Sequence, residues 1–408
     1  MVEIVQTNAG YQLMRGGNPY IIKGAGMGMA GIESFAAHGG NSIRNWTTTG
    51  QFENGQAVLD KAHANGVTVA LCLAMRPERS GFDYDDAETV AAQLDEFREE
   101  VLKYRDHPAL LVWIIGNELN LEYTNSKVYD AVNDISRMIH KLDPNHPTTT
   151  TVAGFKENVI FDIQTRAPDV DFISFQLYGG LFALPAGVEK IGFEEPFMVT
   201  EWGTIGHWEV DKTSWGAPIE ATSTQKADKY RQGFDDILSV LDRQMIGSYA
   251  FLWGQKQERT PTWYGLFTET GDETEAIDVL HFIWNGEWPQ NRSPQIRSMQ
   301  LDGRVAEDNV ILTSGGSYAA AVDVFDQDDD QLTYQWELRP ESDTANVGGD
   351  YEQPIAKLEG CFDDANSAQT CVMADEPGAY RLFVVVYDGR GHAAHANIPF
   401  FVESGSEE

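Results

Sequence analysis

Two glutamates in this sequence each follow a run of apolar residues. Glu118 ends the run "LLVWIIGNE", and Glu201 lies near the end of "PFMVTEWG". A carboxylate beside a segment suited to burial is costly unless it is paired, hydrogen-bonded or functional. Both positions are therefore candidates for chemistry rather than for core packing.

Two carboxylates that face one another across a site can cleave a glycosidic bond. One must be protonated, to give its proton to the leaving oxygen, and the other must be ionised, to attack the anomeric carbon or to activate water. Tryptophan and tyrosine offer flat apolar faces to sugar rings, while asparagine and arginine offer hydrogen bonds to hydroxyls. The candidate substrate-binding residues of these types are Arg44, Asn117, Tyr178, Trp202, Trp208, Trp253 and Trp263.

Packing roles compete with some of these assignments. Tyr178 could pack at the rim of the fold, and Trp263 could fill a core. Arg44 could pair with Glu201 without touching substrate, and the loop residue Trp208 is as suited to the surface as to an outer sugar subsite.

The elements that must position these residues alternate along residues 1–290. Eight short runs, most of them apolar on both faces, alternate with longer segments that have apolar residues at three- and four-residue spacing. This pattern predicts an α/β fold of the (β/α)8 TIM-barrel type, whose reactive residues lie at the C-terminal ends of the strands. A doubly wound open sheet is the alternative, but it lacks a glycine-rich nucleotide fingerprint. The predicted strands are "YIIKGAG", "NSIRNW", "VTVALCL", "LLVWIIGNE", "TTTTVAG", "DFISFQLYG", "PFMVTEWG" and "GSYAFLWG".

The strand-end motifs resemble those of clan A glycoside hydrolases, and most closely the barrel domain of glycoside hydrolase family 2. The resemblance rests on "NSIRNW", "GNE", "TEWG" and "FLWG", and it covers roughly residues 10–290. It implies a retaining mechanism in which Glu118 is the general acid/base and Glu201 is the nucleophile.

The same resemblance assigns further roles. It implies that Asn117 bonds the sugar 2-hydroxyl, that Tyr178 holds the nucleophile with Arg44 nearby, and that Trp253 floors the subsite where the bond breaks. The chain departs from family 2 because the β-sandwich domains that precede the barrel there are missing. "RP" at Arg76 also lacks the His and Trp expected of a β-galactosidase, so the resemblance leaves the substrate open.

The pattern changes near residue 290. The segment "WPQNRSPQIRS" has two prolines and no apolar periodicity, which predicts a linker. The runs "SYAAAVDVFD", "LTYQWEL", "YRLFVVVYD" and "AHANIPFFV" then predict strands joined by polar turns. We therefore predict a catalytic barrel over residues 1–290 and, over 291–408, a linker and a small all-β immunoglobulin-like sandwich that supplies no catalytic residue.

Composition restricts the partners and the location. The net charge of −34 disfavours nucleic acid and anionic membranes and suits a neutral carbohydrate, and no apolar run is long enough to span a bilayer. The amino terminus does not resemble a signal peptide, so the protein is either cytoplasmic or a secreted or periplasmic protein whose signal has been removed. Cys361 and Cys371 could form a disulfide, which would favour secretion, or remain two thiols. The oligomeric state is not predicted.

No cofactor is expected. Asp326, Asp328, Asp330 and Glu337 match four ligand positions of a calcium loop, but Gln331 stands where that loop needs glycine, and the following residues alternate like a strand. A turn that binds calcium loosely and a solvated acidic turn are thus the alternatives to an EF-hand. The nine histidines are scattered, which disfavours a metal-dependent hydrolase.

These observations favour a retaining β-glycosidase acting on a neutral β-linked poly- or oligosaccharide, with a β-glucan as one candidate. A transglycosylase on the same scaffold and a non-catalytic carbohydrate-binding protein are the alternatives. The intact pair Glu118 and Glu201 counts against the second of these.

Overall fold

The computed structural model describes residues 1–50, 54–344 and 349–405. The chain divides into two compact units. Unit 1 comprises Met1–Gly203 and Gln232–Trp253, and unit 2 comprises Thr204–Arg231 and Gly254–Glu408. The domain boundary predicted at residue 290 stays a prediction.

A small antiparallel sheet at the amino terminus precedes the barrel. It consists of β1 (Val2–Thr7), β2 (Gly10–Arg15) and β3 (Asn18–Pro19). The sequence pattern did not predict it, because these strands are mostly half-buried or exposed and lack the continuous apolar runs of the barrel strands.

Unit 1 contains a closed barrel of eight strands, each of which pairs in parallel with its neighbours. All eight predicted strands are present, which confirms the (β/α)8 prediction. Most are buried along their whole length, as expected of strands covered on both faces. The strands are β4 (Gly24–Gly26), β5 (Ser42–Arg44), β6 (Thr68–Leu73), β7 (Leu110–Ile115), β8 (Thr148–Ala153), β9 (Phe172–Gln176), β10 (Phe197–Trp202) and β11 (Met245–Ala250).

The helices follow the predicted alternation. Asn54 and Asp86 cap two of them by accepting backbone N–H groups of the first turn. A π-helical turn at Phe234–Leu238 continues the seventh helix. The α-helices of the described residues are α1 (Ile32–Ala37), α2 (Gly55–Ala64), α3 (Ala87–Tyr104), α4 (Lys127–Leu142), α5 (Glu157–Arg166), α6 (Leu184–Ile191), α7 (Ser223–Gly233) and α8 (Glu275–Asn285).

The carboxy-terminal part of unit 2 forms two sheets, of three and four strands, around one apolar core. This confirms that the predicted strands follow the barrel, while the immunoglobulin-like type stays a prediction. The strands are β12 (Gln295–Leu301), β13 (Val310–Thr313), β14 (Ser317–Phe325), β15 (Thr333–Pro340), β16 (Gln369–Met373), β17 (Gly378–Tyr387) and β18 (Ala393–Glu403), with spatial orders β12-β14-β16 and β13-β18-β17-β15.

One part of the predicted linker is wrong. Residues 295–298 belong to β12, whose buried Ile296 and Met299 face the core. The pairing of β12 with β14 shifts register between Ile296 and Ser298. This bulge interrupts the two-residue alternation and thereby hides the strand from a periodicity argument.

The cysteines and the acidic turn are also defined. Cys361 and Cys371 are free thiols, so the disulfide alternative is not realised in this structure.

Between β14 and β15, one carboxylate oxygen of Asp326 accepts the backbone N–H groups of Asp328 and Asp330, at 2.9 and 3.0 Å, so the segment is a turn between strands rather than an EF-hand. Loosely bound calcium at this turn stays a prediction. Within the described residues, no three His, Cys, Asp or Glu side chains form a set that could hold a metal ion. None of the helices in that part of the chain has the length and apolar character needed to cross a bilayer.

Glu275, in the first turn of α8, makes the stability of the fold depend on pH. Burial raises the pKa of this carboxyl from 4.5 to about 7. The native state therefore holds a proton that the unfolded chain releases, and stability falls by about 3 kcal/mol as the pH rises from about 4.5 through about 7. Glu275→Gln removes this titration. The melting temperature of the variant relative to that of the wild type should therefore be higher at about pH 8 than at about pH 5. Thermal unfolding at both pH values, with the exposed Glu287→Gln as control, checks this. A difference in stability that is the same at both pH values would contradict it.

Candidate active site

The turn after β7 presents Asn117 and Glu118. Gly116 has a φ of 74°, and Glu118 has a φ of 47°, which is uncommon for a residue with a side chain. A Cβ on residue 116 would lie 2.5 Å from a methyl carbon of Leu119, so glycine is required there. The backbone N–H of Glu118 donates to the Thr151 hydroxyl on β8 at 3.1 Å. The left-handed backbone at Glu118 is thus held by the neighbouring strand.

Glu201, on β10, receives hydrogen bonds from four side chains. Arg44 donates to one carboxylate oxygen, as do the indole N–H of Trp46 at 3.0 Å and the amide of Gln176 at 3.1 Å. The Tyr178 hydroxyl donates to the other oxygen at 2.8 Å. Glu201 is only 5% exposed, and these donors offset the cost of burying its charge.

Two of the same donors also bind Asn117. Its side-chain oxygen accepts from Arg44 and, at 2.9 Å, from Gln176. Arg44 and Gln176 therefore link the ends of β7 and β10. Because the oxygen of Asn117 is committed to two donors, its amide N–H2 group points the other way and can donate to a ligand.

Aromatic rings surround this cluster. The Arg44 guanidinium lies 4.9 Å from the centre of the Trp46 ring. Phe251 makes edge-to-face contacts with Trp46 and Tyr178, each with ring centroids 5.8 Å apart. Trp46 and Tyr178 therefore bring their rings to Glu201, and Phe251 packs on both of them.

The structure brings together some of the predicted site residues and not others. Arg44, Asn117, Tyr178 and Glu201 form one hydrogen-bonded cluster, with Glu118 adjoining Asn117 in the chain. The substrate contacts of the predicted tryptophans stay predictions. Trp202 is buried next to Gly233, Trp253 is buried against Phe35 and His38, and Trp263 is buried in unit 2 with its N–H on Ile205, whereas Trp208 of unit 2 is exposed.

Three residues at this site were not among the candidate substrate-binding residues. Gln176 is the polar residue of "FISFQLY", two places before Tyr178, and in the predicted strand this spacing would put both on one face. Trp46 follows Arg44 at the same spacing. Phe251 precedes Trp253 by two residues, so spacing alone did not distinguish between these two rings.

Residues 45–204 match the family model described as Glycosyl hydrolases family 2, TIM barrel domain. This confirms the resemblance of the barrel to that of family 2. The curated relatives include mannan endo-1,4-beta-mannosidase F of Aspergillus clavatus, which is 34% identical over 93 residues that cover 19% of this chain and 21% of the relative. A probable mannan endo-1,4-beta-mannosidase A-2 of Aspergillus terreus is 26% identical over 169 residues, covering 35% of this chain and 42% of the relative. The chain thus spans less than half the length of these relatives.

Solved structures share the fold at low sequence identity. Beta-glucuronidase 2 of Bacteroides uniformis has a TM-score of 0.51 at 12% identity, and the match covers 99% of this chain and 48% of that one. An exo-beta-1,4-mannosidase from Opitutaceae bacterium strain TAV5 has a TM-score of 0.51 at 15% identity, covering 70% of this chain and 62% of the other. At these identities the likeness concerns the fold alone.

Proposed function

We propose, from a barrel of the glycosyl hydrolase family 2 type, that this protein is a retaining β-glycosidase that cleaves a neutral β-linked oligo- or polysaccharide. The observation that carries the proposal is the shared hydrogen bonding of Glu201 and Asn117 by Arg44 and Gln176. This network holds a buried carboxylate at the end of one barrel strand and, at the end of another, the amide that adjoins Glu118. Such strand ends are where barrels of this kind carry out chemistry.

In the proposed first step, Glu201 attacks the anomeric carbon while Glu118 gives its proton to the leaving oxygen. A covalent glycosyl-enzyme forms, and the glycosidic C–O bond breaks. In the second step, Glu118 takes a proton from water, whose oxygen attacks the anomeric carbon and releases Glu201. The four donors fix the orientation of the Glu201 carboxylate, so that little reorganisation accompanies attack.

Asn117 supplies a contact that favours the transition state. Its N–H2 group is oriented by the hydrogen bonds that its oxygen accepts from Arg44 and Gln176, and is proposed to donate to the sugar 2-hydroxyl. Hydrogen bonds to this hydroxyl strengthen as the ring approaches an oxocarbenium ion. Trp46, Tyr178 and Phe251 provide the apolar faces around the carboxylate.

Charge and the relatives narrow the substrate class. Arg44 is fully buried and bonded to Glu201 and Asn117, which disfavours its pairing with the carboxylate of a uronic acid. The net charge of −34 also repels anionic polymers. Because two relatives are named as mannan endo-1,4-beta-mannosidases, a β-1,4-linked mannan is the first substrate to test, followed by β-glucans.

Hydrolysis of a glycan panel tests the proposal. We expect reducing ends to be released from at least one neutral β-linked glycan among β-1,4-mannan and the β-1,3-, β-1,4- and β-1,6-glucans. The release should be the same with and without a chelator, because the proposed steps use no metal ion. NMR of the fresh product should show the β-anomer, since two displacements restore the configuration. A fresh α-anomer would rule out the retaining mechanism, and products longer than the substrate would indicate the transglycosylase instead.

A further inference from the structure

Trp208 is an exposed tryptophan in the segment of unit 2 that begins three residues after Glu201. It is 54% exposed, whereas Trp263 and Tyr264 are almost completely buried. A large apolar side chain kept at the surface removes less area from water than a buried one, so its position calls for a reason.

The backbone beneath the Trp208 ring is fitted to it. A Cβ on residue 206 would lie 2.7 Å from two carbons of the indole, so only glycine allows the ring to lie over the chain at that point. The backbone N–H of Gly206 donates to the Glu209 carboxylate at 3.0 Å, and the N–H of Glu209 returns to the Gly206 carbonyl at 2.9 Å. This closed turn fixes the residues on either side of Trp208.

A buried aromatic group supports the turn. His207 meets Trp208 edge to face, with ring centroids 5.0 Å apart, and makes a similar contact with Trp263 at 5.8 Å. The backbone N–H of His207 donates to the Tyr264 hydroxyl at 3.2 Å, and the Trp263 indole N–H donates to the Ile205 carbonyl at 3.0 Å. Burial lowers the pKa of His207 to about 4, so the ring beside Trp208 is neutral at ordinary pH.

The geometry points to Trp208 as a stacking platform on unit 2 for one hexose unit of a neutral β-linked glycan. An indole that is supported by the chain and 54% exposed matches the C–H face of a pyranose, while the exposed polar residues that follow it, Glu209 and Lys212, can meet hydroxyls. A single ring among charged residues is too small for the apolar core of a protein–protein interface. The choice of glycan as the ligand rests on the proposed function.

Binding measured without turnover tests the platform. In a Glu201→Gln background, isothermal titration with β-1,4-mannohexaose and cellohexaose should show that Trp208→Ala weakens binding by about tenfold, with Trp208→Phe in between. Gly206→Ala should give a similar loss, because it displaces the ring while leaving the tryptophan in place. Trp288→Ala is the matched control, since Trp288 is also a partly exposed tryptophan of unit 2, at 41%, packed on Phe282 and Arg292. The Trp288→Ala variant should bind both hexasaccharides with the same affinity as the background protein.

The outcomes separate this inference from the proposed function. Equal affinity of the Trp208→Ala and background proteins, or no binding of either hexasaccharide by the background protein, overturns the platform. If binding depends on Trp208 but the wild type hydrolyses no glycan, the platform stands and the proposed function fails. If the wild type is active and binding does not depend on Trp208, the platform alone fails.

Discussion

Replacement of Glu201 by alanine is expected to lower turnover by on the order of 10⁵-fold. The variant loses the proposed nucleophile and leaves Arg44, Trp46, Gln176 and Tyr178 aimed at an empty site. Azide, which is small enough to occupy that space, should restore turnover of an activated aryl glycoside. The product should be the glycosyl azide of inverted configuration, because one displacement then replaces two. Kinetics with and without azide, and NMR of the product, provide the measurement.

Glu118→Ala is the matched variant for the other carboxylate. Substrates with poor leaving groups should lose the most, because they need a proton on the departing oxygen, whereas an activated aryl glycoside does not need it in the first step. Azide rescue should here give a product of retained configuration, because azide attacks the glycosyl-enzyme on Glu201. Equal losses in both variants on every substrate would show that the two roles are assigned wrongly.

The barrel was predictable because its strands carry a strong signal. Strands such as β7 and β10 are buried throughout, so they appear in the sequence as continuous apolar runs. Their polar ends then mark the mouth of the barrel, where the strand pattern placed Arg44, Asn117, Tyr178 and Glu201, while the contacts among them were implied by the family resemblance. The first sheet and β12 lack this signal, since one is mostly half-buried or exposed and the other is interrupted by a bulge.

The orientation of individual side chains was harder to predict. Neighbours on a strand point to opposite faces, so the inward Glu201 implies that Trp202 faces away, and the structure buries Trp202 beside Gly233. The same rule would have put Gln176 beside Tyr178. It could not have chosen between Phe251 and Trp253, because residues two apart fall on the same face.

Glu220 is the second position where a large effect is expected, and it lies within unit 2. One oxygen of this buried carboxylate accepts from Lys226 at 2.6 Å and from Thr262 at 2.8 Å. The other accepts from Thr260 at 2.7 Å and from Asn397, on β18, at 2.8 Å. Burial alone would raise the pKa of Glu220, but Lys226 and the neighbouring cations hold it well below its ordinary value.

This network ties the segment that follows Glu201 in the chain to the carboxy-terminal sheets. Arg381, on β17, donates to the Asn397 side-chain oxygen at 2.7 Å and to the Pro218 carbonyl at 2.8 Å. Both arginine and asparagine are buried, so neither hydrogen bond is exchanged freely for water. The strands after residue 291 therefore supply partners to residues of the loop between β10 and α7.

Glu220→Ala is expected to destabilise the protein by about 3–5 kcal/mol, because it leaves Lys226 buried without its counter-ion. The urea midpoint of unfolding measures the loss, with the exposed Glu189→Ala as control. Because the folded-state pKa of Glu220 is lowered, its contribution is present above the unfolded pKa and is lost as the pH falls from about 4.5 towards the folded value. The difference in unfolding free energy between the wild type and a Glu220→Gln variant should therefore become smaller as the pH falls. A loss below about 1 kcal/mol at neutral pH would mean that the ion pair and the three other donors to Glu220 contribute little beyond what water offers the unfolded chain.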